Sequence, residues 1–463
     1  MQYVKIIIIS LFFSLLIPAK SSAQVDMTTH YINIVPQSNY ENPALIPDLQ
    51  YHFSIPGLSS IYAEAGNSGF HFQNVIENKG DSSYLKLDDL VNKHLKKNNH
   101  VSLHYAQELL SVGFQAHKNM YFNFSVAERA DFRFTYPRML VELPYHGNGE
   151  YVGETVEISP LAVKATHLRE YAIGMSWQEP DHWSVGARAK LLFAKANAWT
   201  EKADVKLYTH EEGYDLETEV EFLGHLSLYQ GFDMDNPDKN SDFKPGDYLM
   251  NTANWGGAID LGGNYFINDD FSVNASIVDL GIVNFDRYNY NYQIDKESVT
   301  FEGIDAYKHK NKTDSEIEQE IQNTLDSIAD KFNLQEDQGS YRMPLTTRFY
   351  LGGQYHLSDN QRVGALFRGQ FFNGAFWPAF TASYNHRFGR VLSLSGSYSI
   401  AHNSYLNLGL GAAVNLGPVQ FYLSSDNWLA GLMPERTKFL NLRFGLNIAV
   451  RHPKAQRPMF EMH

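Results

Sequence analysis

Long runs of strict two-residue alternation constrain this chain more than any other feature. Apolar or small side chains fall at Phe122, Phe124, Val126, Ala130, Phe132, Phe134 and Tyr136. Asn123, Ser125, Arg129, Asp131, Arg133 and Thr135 stand between them, and Glu128 alone breaks the apolar series. Successive residues of a strand point to opposite faces, so the run reads as a strand with one apolar and one polar face. The pattern returns where Leu345, Phe349, Leu351, Tyr355 and Leu357 oppose Thr346, Arg348, Gln354 and His356. It returns again at Leu406, Leu408, Leu410, Val414 and Leu416, and at Leu440, Leu442, Phe444, Leu446, Ile448 and Val450. The runs extend over roughly 9–15 residues, against about 5–6 for a typical soluble strand and about 9–11 for a tilted strand that crosses a bilayer.

A soluble β-sandwich also alternates, but its strands are short and its turns evenly spaced. Here short and long connections take turns. Short polar turns are expected at Lys118-Asn119, 179–182, 268–270, 358–360, Gly389-Arg390 and Gly417-Pro418, and long connections over 137–168, 196–255 and 286–344. With Phe349, Tyr355, Phe376 and Trp377 near strand ends, that rhythm is the one outer-membrane barrels show: short periplasmic turns, long outer loops and aromatic girdles. The expected fold is all-β, a closed antiparallel transmembrane β-barrel. Counting from Leu109 gives about 13 strands, ending at 438–450, and closure of a single-chain bacterial barrel requires an even number. A further strand at 49–55 or 68–76 brings the expectation to about 14.

Composition agrees where it bears on the point. Aromatic residues make up 14 %, yet mean hydropathy is −0.35 and no long apolar stretch follows the N-terminus, which excludes a helical membrane protein. There is no cysteine, hence no disulfide, thiolate catalysis or lipid-anchoring thiol. Lys5, the apolar run from Ile6 to Ile17 and Ser21-Ser22-Ala23 form a secretory signal peptide, residues 1–23, with cleavage expected after Ala23. The formal charge of −14 argues against a nucleic-acid partner. The expected address is the outer membrane of a Gram-negative bacterium, with membrane lipid as the surrounding partner.

The remaining organisation follows. Residues 24–100 carry a plug or hatch with a first strand and a short amphipathic helix (85–97). Residues 101–450 form the barrel, with extracellular insertions at 196–255 and 286–344, and 451–463 make a periplasmic tail. The insertions are expected to contain a hairpin near 204–226 and a helix over 314–333, where Ile317, Ile321, Leu325, Ile328 and Phe332 share a stripe. Each helix stripe either packs on the barrel mouth or docks another envelope protein.

The plug expectation rests on residues 36–70. Pro36, Pro43, Pro47, Pro56, Gly57, Gly66 and Gly69 forbid a long regular element, while Tyr40, Leu45, Ile46, Phe53, Ile55, Leu58, Ile61, Tyr62 and Phe70 forbid a solvated tail. Irregular apolar chain must be buried, and the lumen of a wide barrel is the nearest place. Asn42 is expected to cap a turn there, with Pro43 and Ala44 passing close to Gly409 and Gly411.

No catalytic motif is present: Gly-x-Ser-x-Gly, His-Glu-x-x-His and a phosphate-binding glycine loop are all missing, and 18 scattered histidines define no set. The expectation is a non-enzyme. Asp233, Asp235, Asp238, Asn240 and Asp242 space oxygen ligands as a calcium loop would, without the glycine and bidentate glutamate of the helix-loop-helix site; a solvated acidic loop is the alternative. Arg129, Asp131, Arg133, Asp260, Arg348, Arg368 and Arg443 fall on inward faces, where they either pair as structural ladders or line a solute path.

Asn42-Pro43-Ala44-Leu45, Ser54-Ile55-Pro56-Gly57-Leu58 and Asn67-Ser68-Gly69-Phe70 resemble a Bacteroidota family of outer-membrane barrels whose activity is uncharacterised. Matches at 130–137, 147–149, 165–171, 278–284 and 300–303 extend the resemblance over most of the mature chain. More distantly, the Asn-Pro-Ala element is similar to that of the long-chain fatty-acid channel superfamily, which includes the type IX secretion shuttle barrel. That resemblance implies about 14 strands and an N-terminal hatch in the lumen. Two functions follow as expectations: a channel for hydrophobic or amphipathic solutes, or a non-transporting accessory barrel of a protein-export or barrel-assembly complex.

Overall fold

In the computed structural model the described residues are 27–32, 34–71, 76–79, 82–180, 182–212, 215–229, 244–301, 331–372, 375–401, 404–433 and 436–452. The signal peptide, the acidic loop 233–242, nearly all of the helix expected over 314–333 and most of the C-terminal tail lie outside them.

Fourteen antiparallel strands close into a barrel. In chain order they are β1 (Tyr51–Ser54 and Ile61–Asn67), β2 (Asn98–His117), β3 (Met120–Pro137), β4 (Ala162–Glu179), β5 (Trp183–Thr209), β6 (Asn254–Phe266), β7 (Phe271–Phe285), β8 (Arg348–Ser358), β9 (Gln361–Phe372), β10 (Ala375–Phe388), β11 (Leu392–Ala401), β12 (Ser404–Leu416), β13 (Val419–Ser425) and β14 (Phe439–Val450). β14 pairs back onto both parts of β1, from Tyr51↔Val450 to Gly66↔Phe439, and this closure leaves the wall no edge. The break in β1 falls at Ile55-Pro56-Gly57, where proline lacks a donor and Gly57 takes φ 73°.

The burial pattern is inside out relative to a soluble protein. Phe124, Ile173, Leu191, Leu351, Leu410 and Leu440 are exposed on the outer wall, while Asn123, Ser176, Asn274, Thr381 and Asn447 are buried within. Lipid solvates the first set, and the polar lumen receives the second. None of the described helices is long and apolar enough to cross a membrane.

One end of the barrel carries only short turns, for example 118–119, 359–360 and 417–418, together with the start of β1 and the end of β14. At the other end the sheet grows past the rim. β5 runs for 27 residues, to Thr209 rather than 196, and pairs with Leu216–Ser227, which pairs in turn with Asn289–Phe301. Its outer part carries Lys202 and Asp204 exposed on one face and buries Leu207 and Thr209 on the other. Ion pairs such as Lys206–Glu219 (2.9 Å) link neighbouring strands on its charged face. β4 likewise begins at Ala162, earlier than 168. Nearby, the helical turn Leu87–His94 sets Leu90 and Leu95 against Tyr136, which places its stripe on the barrel mouth.

The described residues between 27 and 50 fill the lumen. His30, Val35, Asn42 and Leu49 have no exposure at all.

Candidate functional site

The plug has little regular structure of its own, a single 3-10 turn at Pro36–Tyr40, so the wall must satisfy its backbone. Asp426, just beyond β13, accepts from Met27 N at 3.1 Å, Thr28 N at 2.7 Å and Thr28 Oγ1 at 2.5 Å, and is itself held by Asn441 Nδ2 at 2.7 Å. Gln420 Nε2 donates to Ile34 O at 2.7 Å, Ser276 Oγ to Glu41 O at 2.6 Å, Ser176 Oγ to Pro43 O at 2.6 Å and Ser184 Oγ to Ala44 O at 2.9 Å. Burial above all, with Glu108 beside it, holds the Tyr40 phenol well above its usual range, so it stays a donor to Glu108.

Asn42 closes its own turn, its Oδ1 accepting from Ala44 N at 2.9 Å. Pro43 and Ala44 do not lie against Gly409 and Gly411. They pass over Gly186 of β5 and Gly262 of β6, where an added Cβ would stand 2.2 Å from Pro43 O and 2.1 Å from Asn42 Oδ1. Gly409 and Gly411 instead receive Thr28 and Ile32. The plug thus starts against the late strands at the long-loop end and descends to the middle strands at the short-turn end.

Beside the plug lies a charge cluster. Arg129 of β3 bonds Asp279 of β7 through Nη1 (3.1 Å) and Nη2 (3.0 Å), and Nη1 also reaches Glu170 of β4 at 3.0 Å. Lys190 of β5 meets Asp279 at 2.6 Å and Asp260 of β6 at 2.8 Å, and Arg348 of β8 meets Asp279 at 2.5 Å. Arg188 reaches Asp260 at 3.5 Å and stacks over the Tyr40 ring at 4.4 Å, which ties the plug to the cluster. Opposite charges at these distances compensate one another's lost hydration, which is what permits such groups inside a membrane. Asp279 reaches the centre because it sits at a break in strand register with φ 62°.

Of the inward residues expected from sequence, Arg129, Asp260 and Arg348 enter this cluster. Asp131 pairs with His104 on β2 instead. Arg443 donates to Ser60 Oγ at 2.7 Å and lies 4.8 Å over Tyr62; Arg133 lies 5.9 Å from the Trp377 ring; Arg368 donates to Gln370 at 3.0 Å. Sequence reasoning missed Asp279, Glu170, Lys190 and Arg188. The available signal was an acid inside the apolar run Val278-Asp279-Leu280, which marks a bulge. Among the described residues no group of His, Asp or Glu is arranged to hold a metal.

Of the cavities in the lumen, two adjoin the charge cluster. The larger, about 100 Å³, lies among Tyr40, Glu108, Glu170, Lys190 and Arg443, and has room for several waters. The smaller, about 50 Å³, lies toward the long-loop end. Arg129 and His104 line both, so the cavities meet at this pair.

Fold and lumen together define a closed, plugged β-barrel of the outer-membrane type. The profile of a family of unknown function (DUF5723) matches residues 43–426, and the chain belongs to that family. No curated protein matches the sequence. Among solved structures it is similar to a TodX monoaromatic hydrocarbon channel carrying the deltaS2S3 mutation, with 9 % identity, 94 % of this chain and 96 % of that one covered, and TM-score 0.44. It is similar also to a Pseudomonas aeruginosa FadL homologue (8 %, 93 % and 99 % covered, TM-score 0.41) and to the P. putida toluene transporter TodX (10 %, 90 % and 94 %, TM-score 0.38). At such scores the likeness carries no weight beside the geometry of the lumen itself.

Proposed function

We propose that this protein is an outer-membrane channel, shut by its own N-terminal segment, that admits a small amphipathic solute. The observation that carries the reading is how the lumen is filled. A barrel of this size has interior room that its wall side chains do not occupy, unlike one of about 8 strands. The room is taken by a segment held through wall hydroxyls and amides such as Ser176, Ser184, Ser276 and Gln420. Those groups bond water equally well, so moving the plug exchanges partners and orphans none. An amphipathic solute fits the lining better than a wholly hydrophobic one, because the remaining space is bounded by Arg129, Glu170 and Lys190. The test is single-channel recording in planar bilayers. Deleting 36–48 is expected to raise conductance while the barrel still resists heat in detergent; unchanged conductance overturns the reading.

A second reading, an accessory barrel of an export or assembly complex, draws on the sheet that β5, Leu216–Ser227 and Asn289–Phe301 build beyond the rim. Recovery of a stoichiometric complex in mild detergent, together with a silent bilayer, would put it in place of the channel.

A further inference from the structure

The smaller cavity is built from hydrogen-bond donors. β2, β3, β4 and β9 face one another around it, and residues 343–346 close it. Ser102 Oγ, on its wall, is buried and has no hydrogen-bond partner among the described residues. The Gln370 amide oxygen accepts from Arg368 Nη2 at 3.0 Å, which leaves the amide NH₂ for the cavity. Lys164 and Arg133 add two cations; Lys164 Nζ donates to Pro344 O at 3.3 Å and to Thr346 Oγ1 at 3.5 Å. The carboxylate in the lining, Asp131, bonds His104 and also attracts Lys164 and Arg133, and Glu64 attracts Arg133 as well.

A second observation points the same way. Arg368, behind Gln370, is 1 % exposed, its Nε and Nη1 bond nothing, and among the described residues no carboxylate pairs with it. Its remaining contact is the face of Tyr350, 5.8 Å from Cζ. A guanidinium buried without a counter-charge is costly, and an anion in the adjoining cavity would supply one.

We infer that this cavity is a binding site for a small oxyanion of the phosphate type, carried as the free ion or as the head group of an amphiphile. Guanidinium, ammonium, amide and hydroxyl donors converging on a confined space are the recognition chemistry of such an anion. The site rests on the channel reading for its purpose, as the place where a solute meets the Arg129–Asp279 bridge, but not for its existence.

The full mature chain in a neutral detergent tests it, with Trp377 beside Arg133 as a natural reporter. Inorganic phosphate, octyl phosphate and, as a control, octyl glucoside are titrated by calorimetry and tryptophan fluorescence. Saturable binding of a phosphate species is expected, weakened roughly tenfold or more by Lys164→Gln and by Arg133→Gln, as loss of a charge-assisted bond implies. Ser102→Ala, the mildest change, weakens it in the same direction, and heat-modifiable gel mobility confirms that each variant keeps its barrel. Binding of inorganic phosphate assigns the free ion; binding of octyl phosphate alone assigns the amphiphile head. No saturable binding of either, or binding that the folded variants retain in full, overturns the proposal. Because no current is measured, such a failure leaves the channel reading standing, and a silent bilayer leaves the site standing.

Discussion

Arg129 and Asp279 meet across the lumen by two bonds of 3.1 and 3.0 Å, although β4, β5 and β6 separate their strands in the wall. Asp279 also serves Lys190 and Arg348, so it is the anion on which three cations converge. Asp279→Ala should therefore destabilise the barrel by about 3–5 kcal/mol, the usual penalty for leaving buried charge uncompensated. The readout is the unfolding transition in urea with lipid vesicles. Arg129→Gln/Asp279→Asn, which removes charge from both sides, should recover part of that loss; an additive double variant would mean that the two residues do not act as a pair.

The plug's seat can be tested from the wall. Gly186→Val and Gly262→Val place side chains where Pro43 and Asn42 stand, with backbone atoms among the obstacles. Both glycines face the lumen, so strand pairing should survive while the 42–44 turn is displaced. Each variant should show raised conductance and a newly protease-sensitive N-terminal segment, with normal heat resistance. A closed, protected channel in both variants would mean that the turn shifts locally without unseating the plug.

At its other end the plug hangs on Asp426, which takes two backbone amides and a hydroxyl. Asp426→Ala orphans these buried donors at about 1–3 kcal/mol each, a loss borne by the plug rather than the wall. Hydrogen exchange should accelerate at 27–32 and hold steady in β13 and β14. Equal acceleration in β14 would show that Asp426 supports the wall through Asn441 instead.

Much of this architecture was legible because lipid and lumen impose opposite demands on alternate residues. Phe122 to Tyr136 disclosed β3, and Gly389-Arg390 and Gly417-Pro418 disclosed turns, through that contrast alone. Legibility failed where alternation alone does not decide a strand's continuity or its register. Lys202, Asp204 and Lys206 alternate with Ala203, Val205 and Leu207, which marks a hairpin near 204–226, but nothing in that alternation says that it continues the strand begun at Trp183. Val278 and Asp279 are both fully buried because the register shifts there, so a fixed alternation misplaces the acid that organises the lumen. The partners of Pro43 and Ala44 were illegible for another reason: glycines face the lumen on several strands, and only the path of the plug selects Gly186 and Gly262 over Gly409 and Gly411.

Glu128, the residue that breaks the apolar series of β3, yields the last prediction. It points outward, among Phe124, Val126 and Phe132, and pairs with Arg169 on β4, Nε to Oε1 at 2.6 Å. His167 approaches it at 3.3 Å and is bonded at 2.7 Å to Tyr248, from the short helix Pro245–Met250 that lies over the cluster. Side-chain exposures of 10 % for Glu128 and 11 % for Arg169 say that this pair is covered although it sits on the outer wall. An ion pair beside an apolar band is retained at a desolvation penalty, and removing one partner is far worse than removing both. Arg169→Leu should therefore destabilise by about 3–5 kcal/mol, whereas Glu128→Leu/Arg169→Leu should come close to the unaltered protein or exceed it. Unfolding in urea from lipid vesicles measures both. If Arg169→Leu is as mild as the double variant, water reaches the pair, and the apolar band of the wall ends short-turn-side of Glu128.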